Sequence, residues 1–172
     1  KRVGGDVSRR ITVAVLDFEP RGISNLEAQT LTDRFSTEIN KTDRAILVDR
    51  NAMNEVMQEQ GYTAAECSSE ECAAEVGAML GVQFMINGAI GKLGDTYTID
   101  AKMVSVTTGA AERTKTATYK GPIAGMIAEM EIIAWEIVGL KAPSSLKLKR
   151  AGKNASRTVA VLDFEGRGIS LM

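Results

Sequence analysis

Three acidic residues sit where chemistry could be done. Asp17 and Glu19 close one apolar, β-branched run and Asp49 closes a second. Folding would carry them to the carboxyl edge of a sheet, where open α/β folds hold ligands and Mg²⁺. Acting as metal ligands, they would suit phosphoryl transfer. No P-loop and no nucleophile elbow accompanies them. Acids beside helix starts also meet the positive end of the helix dipole and cap free N–H groups, with no metal required. That structural role is the favoured reading, no cofactor is expected, and a ligand- or Mg²⁺-dependent module built on Asp17, Glu19 and Asp49 is the alternative.

The remaining chemistry is narrow because the chain contains 0 histidines. Ser-His-Asp and Cys-His nucleophile pairs, His-ligated zinc and imidazole acid–base work are excluded within this sequence. Cys67 and Cys72 lie in Glu-Cys-Ser-Ser-Glu-Glu-Cys, a C-x4-C pair without the further ligands of a tetrahedral zinc site. The choice is between two reduced thiols and a local disulfide in an oxidising compartment. Gly88-x-x-Gly91-x-x-Gly94 with Lys92 imitates a phosphate cradle or the clamp of a KH domain, but both need a helix after the glycines. Thr96 to Met103 alternates as a strand instead, so the glycines serve a bend and a hairpin turn.

The elements that would position these residues follow from periodicity. Val13–Phe18 reads as a strand covered on both faces. Ser24-Asn25-Leu26-Glu27 is a capping box opening a helix to about Asn40, with Ala28, Leu31, Phe35 and Ile39 on one face. Ala45–Val48 is a second short strand, and Asp49 to Gln60 a helix with Met53, Val56 and Met57 inward and Gly61 as its stop. Ser68-x-x-Glu71 reads as another capping box, for a helix in which Cys72, Val76 and Leu80 stack before Gly81. Phe84–Ile90, Tyr97–Val106 and Ala110–Tyr119 then alternate as an antiparallel meander, turning at Gly94-Asp95 and Thr107–Gly109. A helix from Pro122 to about Gly139 carries a core stripe of Ile123, Ile127, Met130, Ala134 and Ile137. The fold class is α/β: a mixed sheet with an antiparallel C-terminal meander, in the order β-α-β-α-α-β-β-β-α.

That last helix has a second apolar ridge, Ala128, Ile132, Trp135 and Gly139, which one buried face cannot also accommodate. Extra core or an interface are its two readings. Trp135, the 1 Trp of the chain, is a residue type enriched at interfaces. With Ile132 it forms a candidate contact site.

One segment occurs twice. Thr-Val-Ala-Val-Leu-Asp-Phe-Glu-Pro-Arg-Gly-Ile-Ser at Thr12–Ser24 returns at Thr158–Ser170 with Gly166 in place of Pro20, and Lys1-Arg2-x-Gly4-x-x-x-Ser8-Arg9 returns as Lys149-Arg150-x-Gly152-x-x-x-Ser156-Arg157. The spacing is that of a whole domain, far longer than solenoid units of roughly 20–50 residues. It predicts a tandem array: a linker-like leader at 1–10, a domain at 11–140, a solvated basic linker at 141–157 and the first strand of a second copy at 158–172. Val159, Val161, Leu162 and Phe164 of that strand would be left in water unless it pairs with a sheet, either at the edge of its own domain or, as favoured, in a neighbouring chain, which predicts self-association through the C-terminal strand.

Composition limits partners. Hydrophobic residues make up 44% and charged residues 25%, with a formal charge of −1, as in an ordinary globular chain and unlike a basic nucleic-acid binder. Glu129, Glu131 and Glu136 interrupt the apolar stretch from Ile123 to Leu140, so it does not read as a membrane span. A membrane link is expected only through a lipid anchor outside this sequence. The basic cluster Lys147, Lys149, Arg150 and Lys153 could touch anionic lipid or polymer, although a solvated linker is favoured.

Strand VAVLDF, a capped helix, AILVDR followed by MNEVMQEQG, then CSSEECAAEVGAMLGV running into INGAIGKLGDTYTIDAKMVSVTTGA together resemble the soluble domain of the curli-secretion-channel (CsgG) superfamily. This clan is related to LpoB-like lipoproteins and the N-terminal domain of TolB. The match spans about Thr12 to Leu140, and C-x4-C-A-x-E-x-G-x-x-L-G-V is its most specific part. The resemblance implies a bacterial envelope protein of the periplasm or the periplasmic face of the outer membrane. It further implies an assembly or secretion role without catalysis, partners among other envelope proteins or a neighbouring copy, and a bonded Cys67–Cys72 pair. The tight turns at Gly94-Asp95 and Thr107–Gly109 leave no room for the long amphipathic hairpins of the secretion channels, which argues against pore formation.

Overall fold

The structure, a computed structural model, describes residues 10–63 and 66–155. β1 (Ile11–Val15) is apolar on both sides because two layers use it. Val13 and Val15 enter one core, Ala14 and Leu16 the other. β2 (Glu19–Arg21), β3 (Ala45–Leu47), β4 (Phe84–Leu93), β5 (Thr96–Ser105) and β6 (Ala111–Lys120) complete a mixed sheet of order β3-β1-β4-β5-β6, with β2 beside β4. β1 runs parallel to both neighbours, pairing Val13 with Leu47 and Val15 with Ile86. β4, β5 and β6 are the expected antiparallel meander.

The chain leaves β1, turns to β3 on one side and crosses to β4 on the other, so the carboxyl end of β1 is where the strand order reverses. Helices α1 (Asn25–Lys41) and α4 (Met126–Ile137) cover one face: Phe35, Ile39, Met130 and Ile137 pack on Val13, Ile86 and Ile99. On the other face, α2 (Arg50–Gln60) and α3 (Glu70–Leu80) bring Met53, Ala73 and Val76 onto Ala14, Leu16 and Met85. Gly88 makes the close approach of β4 to β5 possible: a Cβ there would lie 2.0 Å from the Asp100 carbonyl oxygen and 2.9 Å from the Phe18 ring. Gly94 takes φ 65° at the β4–β5 turn, a conformation glycine adopts freely.

Three expectations are corrected and one element is new. β2 is unforeseen: three residues including Pro20 gain order only by pairing in parallel with Ala89–Gly91. Ser68 does not cap α3; a 3₁₀ turn at Glu66–Ser68 absorbs it, and the Ser69 hydroxyl accepts from the Cys72 N–H at 3.2 Å. The helix expected from Pro122 opens as a 3₁₀ turn at Ile123–Gly125, and α4 starts at Met126. The largest change falls in 141–157, read as a solvated linker, where Ser144–Ala155 forms helix α5 packed on α4. The second copy of the first strand, with Val159, Val161, Leu162 and Phe164, lies outside the described residues.

Candidate interaction site

The three candidate acids do not gather. The Asp17 carboxylate takes a charged hydrogen bond from Arg50 Nη2. Glu19 pairs with Arg21 at 2.8 Å across one repeat of β2. Asp49 is the N-cap of α2, its carboxylate accepting from the Ala52 N–H at 3.3 Å. Arg50 also reaches Asp33 at 3.5 Å, tying the first turn of α2 to α1. Each acid is thus engaged by a local cation or a helix end. Among the described residues no group of three or more Cys, Asp or Glu could hold a metal ion.

Cys67 and Cys72 are joined in a disulfide, with Cα atoms 4.8 Å apart. The bond staples the 3₁₀ turn to the first turn of α3, and Cys67 and Cys72 share one buried apolar cluster with Ala14, Met53, Val76 and Met85. Buried Asn87 of β4 donates from Nδ2 to the Cys67 and Ser69 carbonyls at 2.9 and 3.3 Å. The sheet therefore grips the staple from below, using a residue the sequence reading passed over.

Ala128 and Ile132 of the second ridge of α4 are covered by the chain itself, which corrects the interface reading of Ile132, while Gly139 stays exposed. Ala128 and Ile132 are each 3% exposed, and α4 lies between α1 and α5. Half-buried Trp135 donates from Nε1 to Glu38 Oε2 of α1 at 2.9 Å. Glu38, itself buried, also meets Lys41 at 3.3 Å. Two further acids of α4, Glu129 and Glu131, are buried and answered by α5: Arg150 lies 3.4 Å from Glu129 and Lys149 lies 3.0 Å from Glu131. The signal for these pairs was in the sequence. Acids inside an apolar helix require cations, and a basic stretch follows.

The carboxyl end of β1 and β4 is open to solvent. A furrow of about 480 Å³ there is lined by Asp17, Glu19, Pro20, Asn25 and Gln29. It adjoins a second of about 300 Å³ that shares Asp17 and Gln29 and reaches Met57 and Tyr62. Among the described residues the two most exposed large apolar side chains, Leu26 (71%) and Leu93 (84%), stand at the same end, on the first turn of α1 and the tip of β4. Tyr62 donates to Glu75 at 2.6 Å. That bond, followed by desolvation and the charges of Glu75 and Glu66, raises its pKa above the ordinary tyrosine value.

This is a disulfide-stapled α/β domain that engages Asp17, Glu19 and Asp49 in ion pairs and a helix cap and presents apolar side chains at one end of its sheet. The chain belongs to the family described as peptidoglycan-synthase activator LpoB, whose sequence profile matches residues 3–114. Curated proteins give no match. Among solved structures, the LpoB C-terminal domain from Escherichia coli is similar at 14% identity and a TM-score of 0.52, covering 64% of this chain and 83% of that one. Lipoprotein GNA1162 from Neisseria meningitidis is similar at 10% identity and a TM-score of 0.59, covering 88% and 99%. TolB from Acinetobacter baumannii is similar at 11% identity and a TM-score of 0.50, covering 76% of this chain and 28% of that one. At these identities the structures establish the shared fold. Lipoproteins of the LpoB family are anchored in the outer membrane and face the periplasm, and this is the compartment of the chain. A disulfide suits it.

Proposed function

We propose that this chain is a non-catalytic envelope domain that regulates a peptidoglycan synthase by direct protein contact from the periplasmic face of the outer membrane. The family match over residues 3–114 carries this reading. The contact surface in the proposal is the carboxyl end of β1 and β4, around Leu26, Leu93 and the furrow beside Asp17. It lies wholly within the matched residues, whereas α4 and α5 lie outside them.

Finer points of the proposal rest on sequence. The repetition of Thr12–Ser24 at Thr158–Ser170 supports a tandem array of such domains. The resemblance to the curli-secretion-channel superfamily supports a wider role in assembly or secretion, with neighbouring copies among the partners. The test is binding of the immobilised chain to a detergent-solubilised peptidoglycan synthase from the same cell. Leu93→Glu should weaken that binding about tenfold or more while leaving the unfolding midpoint unchanged, because this side chain is 84% exposed. Binding unaffected by both Leu26→Glu and Leu93→Glu would remove the surface from the proposal, and no binding at all would remove the function.

A further inference from the structure

The linker preceding the first strand occurs twice, and what survives between its copies is selective. Lys1-Arg2 and Lys149-Arg150 agree, as do the glycine two residues on and the Ser-Arg before the strand, while the positions between differ. In a solvated linker the order of basic residues would be immaterial. The structure gives the retained pair a task. Lys149 and Arg150 reach across from α5 to Glu131 and Glu129 of α4, whose side chains are only 5% and 7% exposed. A carboxylate withdrawn that far from water needs a cation. Glu131 has a second one in Arg34 at 3.9 Å, whereas among the described residues Arg150 is the cation that meets Glu129.

We infer that the Lys-Arg pair ahead of each first strand is a clasp that seats on the two buried carboxylates of the preceding domain's last helix, so that Lys1-Arg2 fits a second copy of this domain as Lys149-Arg150 fits this one. The inference rests on the tandem reading. Its consequence is geometric: seven residues lie between Arg150 and Thr158 in the sequence, so the next first strand would begin within roughly 25 Å of the clasp. Consecutive copies would then be held close, not strung on a free tether.

Both halves are testable on the full chain by hydrogen exchange of the α5 amides and by carbodiimide labelling of Glu129 and Glu131. Lys149→Ala with Arg150→Ala should speed exchange across α5 about tenfold, as expected for losing two partly exposed charge pairs, and open both carboxylates to labelling. A second variant replaces Lys149–Arg157 with the Lys1–Arg10 sequence. It should keep residues 144–148 and both carboxylates protected, and should lose that protection when its own Lys-Arg is changed to Ala-Ala. Unchanged exchange and labelling in the double alanine variant would refute the clasp itself. A working clasp in the natural chain, with protection lost in the graft, would refute the copy-to-copy contact and count against the tandem reading, while leaving α5 docked as described.

Discussion

Replacing both Cys67 and Cys72 by alanine removes a cross-link without adding a polar group to a buried site, and its cost can be worked from the fold. The bonded residues are separated by 5 positions. On the chain-entropy model a loop this small restricts the unfolded state by about 2 kcal/mol. Packing adds little, since alanine fills most of the volume and Met53, Val76 and Met85 surround it. The Asn87 bonds to the Cys67 and Ser69 carbonyls survive only while the 3₁₀ turn holds its shape, so loss of the staple loosens them as well. Urea unfolding at equilibrium should therefore show the variant less stable by about 2 kcal/mol, with a melting temperature lower by roughly 4–8 °C for a domain of this size. Amide exchange should rise first at residues 66–72. A stability change under about 0.5 kcal/mol would refute the cross-link reasoning, being within the range of an ordinary surface substitution. Two alkylatable thiols in protein isolated from the periplasm would refute the bond.

Three other outcomes follow from single side chains. Gly88→Ala places a Cβ 2.0 Å from the Asp100 carbonyl oxygen, an overpacking against backbone that should cost about 3 kcal/mol or prevent folding, read as loss of the cooperative urea transition. Trp135→Phe keeps the ring packing but deprives buried Glu38 of its N–H donor; the expected loss is about 1–3 kcal/mol, and Glu38→Gln in the same background should recover part of it. Tyr62 should titrate above the ordinary phenol range, and the phenolate absorbance of Glu75→Gln should show the shift reduced, because the Glu75 hydrogen bond is its largest cause while desolvation and the Glu66 charge remain. Since the folded-state pKa is raised, the stability it brings is complete below the unfolded value of about 10 and is lost as the pH climbs through the folded one.

Local signals carried far into this fold. The box of Ser24 and Glu27 is formed in both directions, with bonds of 3.0 and 2.9 Å, because a cap is made within one turn and needs no distant partner. Alternation placed the meander for the same reason. What escaped was decided at long range. β2 holds only because Ala89–Gly91 runs alongside it, and nothing in Glu-Pro-Arg announces that. Ser68 reads as the cap, but the neighbouring 3₁₀ turn takes it up and Ser69 caps the helix instead. α5 was hidden by composition: Lys, Ser and Pro read as solvated chain until the buried Glu129 and Glu131 supply the counter-charges that hold it. At the candidate site, strand ends located Asp17, Glu19 and Asp49, but spacing could not reveal that Arg50 and Arg21 engage two of them. Leu93 stands out only once the hairpin is built.

The most direct measurement is the glycan-polymerising rate of a purified peptidoglycan synthase from the same cell, followed while this chain is titrated into it. The predicted result is a saturable rise in rate, with unchanged product chemistry, that Leu93→Glu shifts to about tenfold higher concentrations and that the Asp17→Asn and Asp49→Asn double variant leaves in place. A rate indifferent to the chain at saturating concentration, or a response that requires added Mg²⁺ held by Asp17 and Asp49, would contradict it.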